Sequence, residues 1–424
     1  MWLNKICNEF VLRRWFCTQR LVKEVKKLSF QEKDDLPEPE YNIDYICNPA
    51  NTDEIRNNIQ KRKSSGDINR VLELAGNEKL RSAFLNELNK IPNCTDHKTQ
   101  CETDKILQEH GKKPEYTFKP KEFSELVEPL KLMRTESLGP VAGQRAYVLL
   151  GDLAELEEAL VQYTTEKLLK YKFSLVSVPD ILPTKIIERC GLLSDHGHTL
   201  VYNLDDSYGQ YSLSGTAEMA LAYRLMNKTF SAKELPLRIA AVSRCFRAET
   251  SSTASEKGIF RVHQFTKVEM FVCSTQEGSP DAFDELLGIQ EELFSSLGLH
   301  FRVVEMPLHD LGPAAHRKVD MEGWMPGRNL YGELSSCSNC TDYQSRRLNI
   351  KYRTEDGKLL YAHTLNGTGC AIPRMLIALC ETYQTSHSRI QVPDILIPYL
   401  NGINLIKKQP VAEMRVFKFK PKLY

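Results

Sequence analysis

The spacing of apolar residues changes repeatedly along the chain, and each change marks an element. After Gly151, residues Leu153, Leu156, Ala159, Leu160 and Tyr163 recur three and four positions apart, and the stretch closes on Lys167, Lys170 and Lys172. That spacing predicts an amphipathic helix with cations at its negative end. A second helix is predicted from Asp281 to Leu297, with Phe283, Leu286, Leu287, Leu293 and Phe294 inward and Gly298 as its stop. Alternation replaces this period in Phe173 to Val178, which Pro179 ends, and in His300 to Glu305. It also runs through Tyr211 to Glu218, where a continued strand puts Thr216 and Glu218 on one face. Leu348, Ile350 and Tyr352 alternate, Asp356-Gly357 supplies a turn, and Leu359 to Leu365 returns as a hairpin. The region from Asp34 to Lys113 is more polar. Short helices are predicted around Asp53 to Lys63 and Asn77 to Lys90, and Asn93 to Lys113 reads as a surface linker. Strand runs joined by hairpins, with few strand-helix-strand crossovers, predict the α+β class: an antiparallel sheet with helices packed against it.

One stretch carries most of the chemistry. Arg244 to Glu249 and Gly258 to Glu269 read as two strands of a hairpin with a long connection. Residues two apart share a face, so Arg247 and Glu249 point together, as do Arg261, His263, Phe265, Lys267 and Glu269. Phe246, Val262, Val268 and Met270 supply the opposite, apolar side. A charged face with one phenylalanine in it suits a cavity for a charged ligand that carries a flat ring; ion pairs on a solvated sheet are the alternative. Near the C-terminal end, Pro373 fits the first position of a helix, which leaves Arg374 in the first turn, against the helix dipole. A cation in that place calls for an anion, unless its side chain swings into water.

Composition narrows the picture. The chain has 424 residues and a formal net charge of +1, so a nucleic-acid surface must be local. Its 12 cysteines are irregularly spaced, which argues for reduced thiols in a cytosol-like or matrix-like compartment. The first thirty residues are basic and acid-poor, with Leu3, Ile6, Phe10, Val11, Trp15 and Phe16 able to gather on one helical side, as in a mitochondrial targeting segment. No stretch is long and apolar enough to predict membrane insertion. Cys337-Ser-Asn-Cys340 has metal-ligand spacing but no second pair at finger-like distance, and His196-Gly-His198 reads as surface histidines. Neither a glycine-rich phosphate loop nor a serine elbow is present. The tail from Lys407 to Tyr424 is basic.

Five motifs then stand in order: Val178-Pro179; Gly215-Thr-Ala-Glu218; Phe246-Arg-Ala-Glu249 through His263-Gln-Phe-Thr-Lys-Val-Glu269; Tyr331-Gly-Glu-Leu-Ser-Ser336 through Arg347; and Asn366 to Arg374. From about Pro114 to Leu400 the chain resembles the class II seryl-tRNA synthetases, and among them the animal mitochondrial type. The resemblance implies the class II antiparallel sheet flanked by helices, as a catalytic domain over 114–400. Before it come a targeting segment at 1–30 and a reduced N-terminal helical region and linker at 31–113; after it, a basic tail at 401–424. It implies ATP-dependent activation of L-serine to seryl-adenylate and transfer to mitochondrial tRNA(Ser) in the matrix. Thr216, Ala217, Glu218, Glu269, Asn366 and Thr368 would hold serine. Arg247, Ala248, Glu249, Arg261, Phe265, Glu333, Leu334, Ser335, Ser336 and Arg374 would hold ATP, with Arg247 and Arg374 as the catalytic pair and Glu333 and Ser336 as ligands of Mg²⁺. In the family Val178-Pro179 builds a dimer interface, which implies a homodimer or a heterodimer with a related synthetase subunit.

Two departures from the family pattern stand out. Only about 25 residues separate Asp67 from Pro92, and at about 1.5 Å per residue they cannot form the two long helices of the family's tRNA-gripping arm. Lys257 also stands where arginine is common. A non-catalytic synthetase-like mitochondrial paralogue, serving as a binding partner or RNA-binding protein, is the alternative reading. Filled ligand positions favour the enzyme.

Overall fold

The computed structural model describes residues 36–408 apart from 100, 136–137, 139–142, 144, 193–199, 206, 208 and 250–257. The targeting segment, the tail beyond 408, the His196 and His198 pair and Lys257 therefore lie outside the described residues.

The N-terminal region is a small helical unit whose longer helices are α1 (Thr52–Lys61), α2 (Ile68–Leu74) and α3 (Arg81–Lys90). Asp67 caps α2 by accepting from the Asn69 N–H at 2.9 Å. Ile55, Ile59, Ile68, Val71 and Leu88 close a core of its own. Ten residues make α1 and α3 each about 15 Å long, far short of an arm.

The predicted linker proves instead to contain a strand, β1 (Lys105–His110), paired antiparallel with residues 301–305. It is an edge strand exposed at five of its six positions, so no apolar alternation betrays it in the sequence. Then come α4 (Asp152–Lys170), with all five predicted inward residues buried, and β2, which is only Ser174–Leu175. Next in order are α5 (Ala217–Arg224), β3 (Leu237–Phe246), β4 (Gln264–Ser274) and α6 (Ser279–Ser296). Strands β5 (Phe301–Glu305), β6 (Arg317–Met325) and β7 (Leu330–Asn339) follow, then α7 (Tyr343–Leu348), β8 (His363–Ala371) and α8 (Ile372–Thr382).

Eight strands form one sheet in the order β1-β5-β6-β7-β8-β4-β3-β2, antiparallel throughout except for the parallel β2–β3 pair. Chain neighbours are mostly sheet neighbours, as hairpin connectivity requires. Helices α4, α6 and α8 cover one face and, with Val268, Met270 and Val272 of β4, build the main core. Ile239, Ala241, Phe271 and Cys273 face the other way, toward α5 and the start of the 348–352 segment. That second face is also covered at its other end, where Val304 of β5 packs with Met306, Leu311 and Ala315, and its uncovered middle is the floor of a cavity.

Candidate active site

Two β-bulges decide which side chains reach the cavity. Between β6 and β7 the pairing steps from Met321 opposite Ser335 to Glu322 opposite Glu333, leaving Leu334 as an extra residue. Simple alternation would send Glu333 and Ser336 to opposite faces; the bulge brings both to the cavity. Leu334 and Ser335 border it, but the Leu334 side chain is buried core and the Ser335 hydroxyl donates to the Thr368 carbonyl at 2.7 Å. These two can meet a ligand only through their backbone. Between β4 and β8 the register steps from Val268 opposite Cys370 to Glu269 opposite Thr368, with Gly369 extra. A Cβ at Gly369 would stand 3.1 Å from the Thr164 methyl, so the residue also admits α4 close to the sheet.

Local structure differs from strict strand parity at several predicted positions. Thr216 and Glu218 do not continue a strand, which ends at Leu213. Thr216 is the N-cap of α5, its hydroxyl accepting from the Glu218 N–H at 3.3 Å, and both side chains still enter the cavity because the cap and first turn face it. Strand β3 stops at Phe246 and β4 begins at Gln264. Arg247, Glu249 and Arg261 reach the cavity from the flanking segments, whereas His263 turns away, its Nδ1 2.8 Å from Tyr202 Oη and 3.0 Å from the Arg247 carbonyl oxygen. Ala217 and Ala248 are the two predicted residues outside the lining. Ala217, the first residue of α5, is buried in the second core, and the Ala248 N–H donates to the Leu200 carbonyl.

The cavity has a volume of about 350 Å³ and two chemically distinct ends. At the acidic end, Glu218 accepts from Gln344 Nε2 at 2.6 Å and from Asn366 Nδ2 at 3.2 Å. Burial, and then the nearby Glu269 carboxylate, raise its carboxyl from the ordinary 4.5 to about 7. Glu269 is 0% exposed, and neither of its oxygens holds an aligned hydrogen bond among the described residues. Its compensating charge is the Lys267 ammonium, which also donates to Thr216 Oγ1 at 2.9 Å. An acidic pocket with an amide and a threonine hydroxyl suits a small ligand that carries an ammonium and a hydroxyl.

At the cationic end, Arg247 donates from Nε to the Gly215 carbonyl at 3.3 Å and holds its guanidinium 5.3 Å from the Phe265 ring. Arg261 pairs with Glu249 at 3.3 Å. Arg374, in the first turn of α8, meets the anion that its position calls for: Nη1 lies 3.1 Å from Glu333 Oε2 and donates to the Glu333 carbonyl at 3.0 Å. Phe260 stacks beneath it at 4.6 Å. Glu333 is enclosed by protein yet leaves 40% of its side chain open to the cavity. Burial pushes its carboxyl up, but Arg374 and Lys318, with Arg247 beyond, overcome this and hold it at about 2. It is therefore an anionic, hard oxygen donor, and with the Ser336 hydroxyl in the same cavity lining it is of the donor type that suits a divalent cation. Lys318 in turn pairs with Asp320 at 2.8 Å.

Lys267, Gln344 and Lys318 also serve the site, although the family resemblance gives them no role. Lys267 was legible by its alternation with Phe265 and Glu269. Gln344 was not, because it meets Glu218 from 126 positions away.

Residues 201–383 match the family described as the tRNA synthetase class II core domain (G, H, P, S and T). A serine–tRNA ligase of Rubrobacter xylanophilus is 39% identical over 316 residues, which cover 73% of this chain and 74% of that protein. The chain belongs to the seryl-tRNA synthetase family. Two mammalian members, the mitochondrial serine–tRNA ligases of Bos taurus and Mus musculus, are 44% and 43% identical over 70% and 73% of this chain. This family member spans only 58% and 61% of their lengths. Among solved structures, the seryl-tRNA synthetase of Pyrococcus horikoshii complexed with ATP aligns with a TM-score of 0.74 at 28% identity, covering 93% of this chain and 94% of that one. The cytoplasmic serine–tRNA ligase of Naegleria fowleri in complex with AMP aligns at 0.71 with 32% identity, over 78% and 72%.

Proposed function

We propose that this family member activates L-serine with ATP and transfers the seryl group to mitochondrial tRNA(Ser). The observation that carries the reading is the joining of an acidic and a cationic end in one cavity, with Arg247 between them. In this reading Glu218 receives the serine ammonium, and Glu269, Thr216, Asn366 and Thr368 surround its side chain and amine. A site that hydrogen-bonds the hydroxyl discriminates against alanine by leaving buried groups unpaired. Arg247 bridges the serine carboxylate and the α-phosphate, Phe265 stacks on adenine, Glu249 accepts from its amino group, and Arg261 and Arg374 neutralise the triphosphate.

The serine carboxylate attacks the α-phosphorus in line, the bond to the bridging oxygen breaks, and pyrophosphate leaves; the terminal ribose hydroxyl of the tRNA then displaces AMP. No protein nucleophile is needed, so alignment and charge neutralisation carry the rate. Mg²⁺ entering with ATP would be held by Glu333 and Ser336, where it supplies further neutralisation of the phosphates.

The reading also takes the protein to the mitochondrial matrix, as a dimer and with a reduced N-terminal region. Support comes from the mitochondrial names of the two mammalian relatives, from the exposed Leu169, Leu175, Ile181 and Val242 around the β2 edge, and from the short α1 to α3. The test is ATP–pyrophosphate exchange on purified protein. Serine, and not threonine or alanine, supports exchange, and Arg247→Ala lowers it by at least about 10²-fold. A folded sample without serine-dependent exchange refutes the reading.

A further inference from the structure

The N-terminal unit is joined to the cavity by an unusual run of contacts. Five consecutive carbonyls, Gly312 to His316, all accept hydrogen bonds from it or from the segment that follows it. Arg62 Nη2 donates to Gly312 O at 2.5 Å and to Ala315 O at 2.8 Å. The Asn93 backbone N–H donates to Pro313 O at 2.9 Å, and its side-chain amide to Ala314 O at 2.9 Å. The Asp96 N–H donates to His316 O at 3.0 Å. Four of those five residues, Gly312 to Ala315, line the cavity.

Arg62 is 5% exposed, and no carboxylate among the described residues pairs with it. Taking a guanidinium out of water without a counter-charge is costly. A tie that only fastened two surfaces together could use neutral donors. What the planar fork supplies is two carbonyls three residues apart held by a single nitrogen, while Nη1 grips Asn93 O at 2.7 Å. The segment so held reaches the acidic end directly. Ala314 packs on Cys340 and Tyr343, Asn93 Nδ2 donates to Cys340 O at 2.8 Å, and Cys340 Sγ lies 3.9 Å from Asn366 Oδ1. Asn366 is the residue whose amide holds Glu218.

We infer that Arg62 and Asn93 are positioning residues for amino-acid activation: through the 312–315 wall they set the shape of the serine end, and the N-terminal unit is a working part of the activation site. This rests on the proposed serine activation and adds to it a dependence that a separate RNA-gripping module would not have.

The experiment measures ATP–pyrophosphate exchange with the full chain, varying serine and ATP separately, for wild type, Arg62→Met, Arg62→Lys, Asn93→Ala and the control Arg81→Ala, which removes only an exposed pair with Glu38. Arg62→Met and Asn93→Ala are expected to raise the serine KM about tenfold while the ATP KM and kcat stay within about twofold, since only the serine end is displaced. Arg62→Lys falls between wild type and Arg62→Met, because an ammonium keeps the charge and loses the fork. Arg81→Ala matches wild type. If Arg62→Met does not fold, the split in Asn93→Ala decides. An active wild type whose serine KM is unchanged in the folded variants, or a uniform loss of kcat with both KM values intact, overturns this inference alone. A wild type without serine-dependent exchange overturns it together with the proposed function.

Discussion

The Glu218 carboxyl offers the most direct test of the site's electrostatics. Burial and the neighbouring Glu269 raise it to about 7, against an ordinary 4.5, which corresponds to about 3 kcal/mol against the charged form. If Glu218 must be ionised to receive the serine ammonium, kcat/KM for serine is lost as pH falls through about 7 in the free enzyme and is roughly tenfold lower at pH 6 than on the alkaline plateau. Gln344 donates to the same carboxylate at 2.6 Å and opposes the rise. Gln344→Leu removes a hydrogen bond to a charged group, worth about 1.5–3 kcal/mol, so the acid limb should move up by one to two pH units, by order of magnitude. The assay is pyrophosphate exchange at subsaturating serine from pH 5.5 to 9. A profile flat between pH 6 and 8 in the wild type, or an acid limb that Gln344→Leu leaves in place, refutes the assignment of Glu218 to the ammonium. The same proton links to folding. A carboxyl held higher in the folded state costs nothing below about 4.5 and costs stability as pH rises toward 7. Glu218→Gln should therefore be more stable than wild type at pH 8 and converge with it near pH 4, as read by denaturant titration.

Two further outcomes follow from single side chains. Phe265→Ala should raise the ATP KM about three- to tenfold, the worth of one aromatic stack, with the serine KM little changed; an unaltered ATP KM would remove Phe265 from the adenine site. Gly298→Ala should lower the melting temperature by several degrees. The residue has φ +70°, which alone costs a side chain about 1–2 kcal/mol, and a Cβ there would lie 2.2 Å from the Tyr383 Oη that donates to Leu297 O. A melting temperature equal to wild type would refute that packing argument.

Much of this protein is legible in local spacing. The inward residues of α4 and α6, the glycine stop at 298 and the partition of β4 into a core side and a cavity side each depend on periods of 3.6 or 2, which any packed core imposes. Arg374 was legible for another local reason: a helix N-terminus repels a cation, so its place announced an anionic partner. Strand β1 escaped because an exposed edge strand has no buried side to write an alternation. His263 escaped because parity counts only while a strand lasts, and β4 starts one residue later.

What tertiary structure alone decided is which residues share the cavity. An extra residue at Leu334 and another at Gly369 shift the ladders, so Glu333 joins Ser336 and Glu269 stands opposite Thr368; a one-residue slip in pairing is set by the neighbouring strand and leaves no local mark. Gln344 on Glu218, and Arg62 on a wall some 250 positions away, belong to the same class. The sequence determined the residue types and the faces they occupy, since these follow from chemistry and short-range period. Their meeting depended on how distant segments pack, and that is written in no single stretch of chain.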